Sequence, residues 1–120
     1  MIIEKNKSLR SFNTFGIDVL AKYFVDAVDE VTIQQIINDK KKEFVTKLIL
    51  GGGSNILFTK NFNGLVLKNN LVGIEIVKED TEFSFVKVAA GEVWHQFVLW
   101  CIEKKLAGLE NLSLIPGLVG

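Results

Sequence analysis

The chain has 120 residues, 48% of them apolar and including nine Phe and two Trp, which is ample material for a folded domain with a sizeable core. Its 14 basic and 14 acidic side chains cancel, which argues against an electrostatic nucleic-acid binder. No stretch supplies the roughly 20 uninterrupted apolar residues of a membrane-spanning helix, Met1-Ile2-Ile3-Glu4-Lys5 lacks a signal-peptide core, and the lone Cys101 permits no internal disulfide. These features predict a soluble, cytoplasmic protein that binds neither nucleic acid nor membrane.

In chain order, residues 1–7 read as irregular chain or a short edge strand. Ser11-Phe12-Asn13-Thr14-Phe15-Gly16 reads as a loop pinned to the core by Phe12 and Phe15. Residues 22–28 alternate as a strand does. Asp29 is a ready N-cap, and Ile33, Ile36 and Ile37 recur at helical spacing, predicting a helix over 30–39. The charged run 39–43 is a solvated exit. Residues 46–50 form an apolar strand that feeds three glycines, Gly51, Gly52 and Gly53, so a βαβ unit with parallel strands is expected. Ile56-Leu57-Phe58 reads as another short strand, Asn61-Phe62-Asn63-Gly64 as a turn, and residues 65–68 as a strand. Residues 73–78 and 83–90 alternate around a charged turn, predicting an antiparallel hairpin with one face toward a core. Residues 92–106 have helical period, with a broad apolar face carried by Val93, Trp94, Phe97, Val98, Trp100, Cys101 and Ile102.

The stretch Gly51-Gly52-Gly53-Ser54-Asn55 carries the chemistry. Glycine permits φ > 0 and close approach to a ligand, and successive backbone N–H groups can converge on an anion. The loop is either a phosphate cradle or a tight turn between strands. It is not a P-loop, because Ser54-Asn55 stands where Lys-Ser/Thr is required, and it is not G-x-G-x-x-G. No cluster has metal-ligand spacing, and no Ser-His-Asp or Cys-His set can be assembled. His95, the single histidine, reads as a surface or packing residue, and Cys101 as a buried, inert thiol.

Four separated stretches line up with one family. They are Asn13-Thr14-Phe15-Gly16-Ile17-Asp18, residues 50–58, Ala90-Gly91-Glu92-Val93-Trp94-His95, and Gly108-Leu109-Glu110-Asn111-Leu112 with Ile115-Pro116-Gly117-Leu118-Val119-Gly120. In this order they resemble the UDP-N-acetylenolpyruvoylglucosamine reductase family of flavoenzymes. The resemblance implies an α+β fold, the N-terminal part of a vanillyl-alcohol-oxidase-type (PCMH-type) FAD-binding domain. A small βαβ subdomain over about residues 1–60 would precede a mixed or antiparallel sheet with a helix over about 61–120, and the substrate domain would be absent. The resemblance also implies that the FAD diphosphate lies against two loops. One is Gly51, Gly52, Gly53, Ser54, Asn55, Ile56 and Leu57; the other is Ile115, Pro116, Gly117 and Gly120. Leu118 departs from the smaller residue the family carries there.

The implied parent reaction is NADPH-dependent reduction of UDP-N-acetylglucosamine enolpyruvate to UDP-N-acetylmuramate, a step of peptidoglycan precursor synthesis. The family's catalytic serine, glutamate and arginine have no counterpart in these 120 residues. The resemblance therefore implies an N-terminal fragment, inactive alone, with apolar surface exposed for self-association. Two alternatives are another FAD-dependent oxidase or dehydrogenase of the same fold, and a non-enzymatic nucleotide-binding module.

Overall fold

A computed structural model describes residues 1–120, the side chain of Glu43 excepted. Six strands and two α-helices follow in the order β1 (Glu4–Ser8), β2 (Leu20–Ala27), α1 (Glu30–Asn38), β3 (Lys47–Leu50), β4 (Phe62–Asn69), β5 (Ile74–Glu79), β6 (Ser84–Val88) and α2 (Trp94–Glu103). Short 3-10 turns stand at Arg10–Phe12, Lys42–Phe44 and Glu110–Leu112. The first four strands form one sheet in the order β1-β2-β4-β3, and β5 and β6 pair by themselves. β2 and β3 both run parallel to β4, while β1 closes one edge antiparallel to β2.

The βαβ unit is present, but β4 lies between its two strands. The reason is burial. Gly64, Leu65, Val66 and Leu67 are all buried, as suits a strand covered on both faces, whereas β3 alternates and takes the edge. One face of the sheet packs Phe24, Leu50, Phe58 and Val66 with Leu9 and Val19. The other packs Tyr23, Val25, Leu65 and Leu67 against Ile36 of α1 and Phe44. The first sheet thus runs to Asn69, and residues 70–73 lead from it into the β5–β6 pair.

Four local expectations are corrected. Residues 62–64 belong to β4 rather than to a turn; a side chain at Gly64 would run into the Thr46 carbonyl, whose oxygen accepts the Leu65 N–H at 2.9 Å. Asn61 does cap the strand, accepting the Leu20 N–H at 2.9 Å. Ile56-Leu57-Phe58 joins no ladder, and burial of Phe58 anchors it as a loop. Phe15 is 66% exposed and pins nothing, whereas Phe12 packs on Phe24 with ring centroids 4.9 Å apart. The hairpin forms as expected, but Val77, Phe83 and Phe85 remain exposed, since no other layer covers them.

Helix α1 starts where the sequence indicates, with the Asp29 carboxylate accepting the Thr32 N–H at 2.7 Å. That bond holds the Asp29 carboxyl below the usual aspartate range. Helix α2 is shorter than expected. It begins at Trp94 because Glu92 lies outside it, accepting the Gly73 N–H at 2.7 Å. Lys105 in the left-handed region (φ 59) stops continuation at the other end. Only Phe97, Val98 and Cys101 of the apolar face are buried, and Leu99 and Ile102 are exposed.

The radius of gyration is 16.7 Å, against about 14 Å for a compact chain of this length. The surface of 8159 Å² likewise exceeds the roughly 6,500 Å² of a compact monomer of 13.4 kDa. Both follow from a hairpin and a helix with one side uncovered. Among the described residues no helix is long and apolar enough to cross a membrane.

Candidate cofactor-binding loops

The parallel strands β2, β3 and β4 end together, and the glycine loop leaves the carboxyl end of β3. That is where open α/β sheets commonly bind ligands. Gly53 takes φ +69, and any side chain on it would collide with the Phe12 backbone. Its carbonyl accepts the Thr14 N–H at 3.0 Å. The loop is therefore seated on the 12–14 segment, backbone against backbone.

Asn13 makes that seat rigid. It is 7% exposed, donates Nδ2–H to the carbonyls of Leu9 (2.7 Å) and Ile17 (3.0 Å), and accepts the Ile17 N–H at 3.0 Å. Gly16, at φ +65, closes the turn by donating to the Asn13 carbonyl at 3.1 Å.

The second loop, residues 115–120, is held by the chain just before and at the start of α2. Trp94 N–H donates to the Gly117 carbonyl (3.0 Å), Val119 N–H to Glu92 (2.9 Å) and Gly120 N–H to Ala90 (3.0 Å). Two side chains add to this. Trp94 Nε1–H donates to the Leu112 carbonyl at 2.7 Å, and His95 Nδ1 accepts the Leu114 N–H at 3.0 Å. His95, read from sequence as a surface or packing residue, is half-buried and bonded to the loop.

The two loops meet across more than 60 residues of sequence. A Cβ on Gly52 would stand 3.2 Å from Gly117 Cα, one on Gly51 3.3 Å from the Gly120 carbonyl oxygen, and one on Gly117 3.1 Å from Ser54 Oγ. A side chain at Gly51 or Gly52 would press the loops apart by a few tenths of an ångström, and Gly117 also takes φ +116, which L residues rarely adopt. Between them lies a cavity of about 280 Å³, walled by residues 51–56 on one side and Pro116, Gly117, Leu118 and Gly120 on the other. Leu57 and Ile115 stand outside this wall, with 63% and 49% of their surfaces exposed. Leu118, absent from the sequence-derived set, is in it; the Pro-Gly turn before it was the available signal.

No charged side chain lines the cavity. Among the described residues, the N–H groups of Gly53, Ser54 and Asn55 have no acceptor within the chain. Unpaired amides, a serine hydroxyl and five glycines in a wall without carboxylates suit a phosphate-bearing group, since such amides converge on anions. Lys68 stands opposite Leu50 in the ladder, half-buried, with Nζ 3.2 Å from the Asn69 carbonyl and 3.1 Å from Asn70 Oδ1. Burial pushes its ammonium below the ordinary lysine value, and Asp26 partly offsets this. A larger cavity of about 570 Å³ lies between the start of α1 and the root of the hairpin. Its lining includes the charged residues Asp29, Glu30, Glu75 and Lys87, and the Asp29 carboxylate is already engaged with Thr32. Cys101 is buried away from both cavities, and burial pushes its thiol pKa up.

Comparison with known proteins bears on this geometry. The chain is 49% identical over its whole length to UDP-N-acetylenolpyruvoylglucosamine reductase of Flavobacterium johnsoniae, and 46% identical over its whole length to that of Amoebophilus asiaticus. It spans 35% of the length of each. The crystal structure of UDP-N-acetylenolpyruvylglucosamine reductase from Thermus caldophilus superposes on all of the chain and 40% of its own, with a TM-score of 0.72 at 24% identity, so the fold is shared. The family profile described as FAD binding domain matches residues 21–120, which takes in both loops. The chain therefore belongs to the FAD binding domain family.

Proposed function

We propose that this chain is the FAD-holding part of a UDP-N-acetylenolpyruvoylglucosamine reductase, and that the loops at 51–57 and 115–120 clamp the cofactor's diphosphate. The observation that carries the reading is the cavity between two glycine-lined loops, with the free amides of Gly53, Ser54 and Asn55 at its wall. Gly51, Gly52, Gly117 and Gly120 let the backbone approach the diphosphate, and the Ser54 hydroxyl adds a donor. Leu118 supplies an apolar wall. When bound, FAD supplies hydride transfer between NADPH and the enolpyruvyl double bond of the UDP-sugar. The chain's own residues bind and orient the cofactor; the acid that completes the reduction belongs to the rest of the enzyme. In this reading the chain alone turns over no NADPH, and the enzyme works in the cytoplasm. A subdomain boundary within 70–73 is part of the same proposal, supported by the change of sheet between β4 and β5.

Titration of the protein with FAD, followed by flavin fluorescence, tests the assignment. Saturable binding of one FAD per chain, competed by ADP, is expected. Gly52→Ala and Gly117→Ala each push one loop against the other and should weaken binding at least about tenfold, with the far-UV circular dichroism unchanged. Saturable binding that both substitutions leave intact would overturn the clamp.

A further inference from the structure

We infer that His95 is a positioning residue for the second loop: its neutral imidazole, in the Nε2–H tautomer, sets the course of the chain from Leu114 into the wall of the cavity. The inference rests on reading residues 115–120 as a cofactor loop.

The chain leaves the 3-10 turn at Leu112 and must change direction before Ile115. Leu114 makes that change at φ +63, in the left-handed region that a leucine rarely occupies. Its side chain is 77% exposed and contributes no compensating burial. What holds the turn is polar. His95 Nδ1 accepts the Leu114 N–H at 3.0 Å, and Trp94 Nε1–H donates to the Leu112 carbonyl at 2.7 Å. A backbone N–H can only donate, so Nδ1 carries a lone pair and the ring proton sits on Nε2.

His95 and Trp94 are neighbours on the first turn of α2. The residues just before them carry the backbone bonds to Val119 and Gly120, and Trp94 itself bonds Gly117. One short segment therefore grips the second loop twice, by main chain at 117–120 and by side chains at 112–114. The main-chain bonds fix the end of the loop. The His95 bond fixes its entry, and with it the angle at which Pro116 and Gly117 face Gly52. His95 itself does not line the cavity, so it acts through the loop.

Three substitutions separate positioning from packing. Asparagine puts Oδ1 near the place of Nδ1, glutamine puts its amide near the place of Nε2, and alanine supplies neither. Amide exchange and the imidazole ¹⁵N shifts are read by NMR on the 120-residue chain, without cofactor. The wild-type ring should show the Nε2–H tautomer. Protection of the Leu114 amide should fall about three- to tenfold in His95→Ala and His95→Gln and return in His95→Asn. FAD affinity should follow the same order. A ring in the Nδ1–H tautomer, unchanged Leu114 protection in His95→Ala, or equal rescue by Gln and Asn would each overturn the inference. If protection follows the order while FAD binds all variants equally, the contact exists but does not position the loop for the cofactor, and the inference fails. If the wild-type protein binds no FAD, the cofactor reading fails, and the tautomer and exchange data still decide the contact.

Discussion

Replacing Gly53 by alanine separates two costs that usually come together. The residue sits at φ +69, so any L side chain carries a left-handed penalty of about 1 kcal/mol or somewhat more. A Cβ there would also overlap the Phe12 carbonyl, and the obstacle is backbone fixed by the Asn13 knot rather than a movable side chain. Forcing such an overlap costs roughly 1–3 kcal/mol. Gly16 supplies the control. Its φ is +65, yet a Cβ there meets nothing within 4 Å, so Gly16→Ala carries the conformational penalty alone. Gly53→Ala should thus be about 2 kcal/mol less stable than Gly16→Ala, which at a slope near 1.5 kcal/mol/M is a urea midpoint lower by about 1.3 M. Urea unfolding followed by circular dichroism measures both. Agreement of the two variants within about 0.5 kcal/mol would refute the claim that the glycine loop is seated backbone-to-backbone on residues 12–14.

Other outcomes follow from the same structure. Asn13→Ala removes three hydrogen bonds at a buried position and should cost about 3 kcal/mol in the same urea assay; a loss below about 1 kcal/mol would mean the knot is dispensable. Asp29, Asp80 and Glu110 are each held below their ordinary values, first by backbone N–H groups of Thr32, Glu82 and Gly108. With folded values depressed, their contribution is complete above the unfolded values near about pH 4 and is lost as pH falls through the folded values. The urea midpoint should therefore drop below about pH 4, and more shallowly in the Asp29→Asn, Asp80→Asn, Glu110→Gln variant; an identical slope would exclude these groups. Exposed Leu99, Ile102, Phe83 and Phe85 should bind a hydrophobic dye and promote self-association on size-exclusion chromatography, and a monomer with no dye binding would count against an open apolar face.

Much of the fold was legible locally. The Asp29 cap and the Ile33-Ile36-Ile37 spacing predict α1 because capping and 3.6-residue period are properties of a few neighbouring residues. The alternation of 73–78 and 83–90 predicts the hairpin for the same reason, and the strands form at 74–79 and 84–88. Errors arose where a distant partner decides. Asn61-Phe62-Asn63-Gly64 has turn composition, yet Gly64 is there to admit the Thr46 backbone. Phe15 and Phe12 look equivalent in the chain, but only Phe12 meets Phe24.

The sequence by itself singled out the two loops, since their glycines, Ser54-Asn55 and Pro116-Gly117 are local and resemble a flavoenzyme family. It also indicated β3 and the α2 region beside them, though not the exact ends of α2. Only the tertiary structure decided that Gly52 faces Gly117, that Leu118 walls the cavity while Leu57 and Ile115 stand aside, and that His95 holds Leu114. The physical reason is range. Propensity and periodicity act over a few residues, whereas these contacts join backbones brought together by β4 taking the centre of the sheet and by α2 folding back on the chain that follows it.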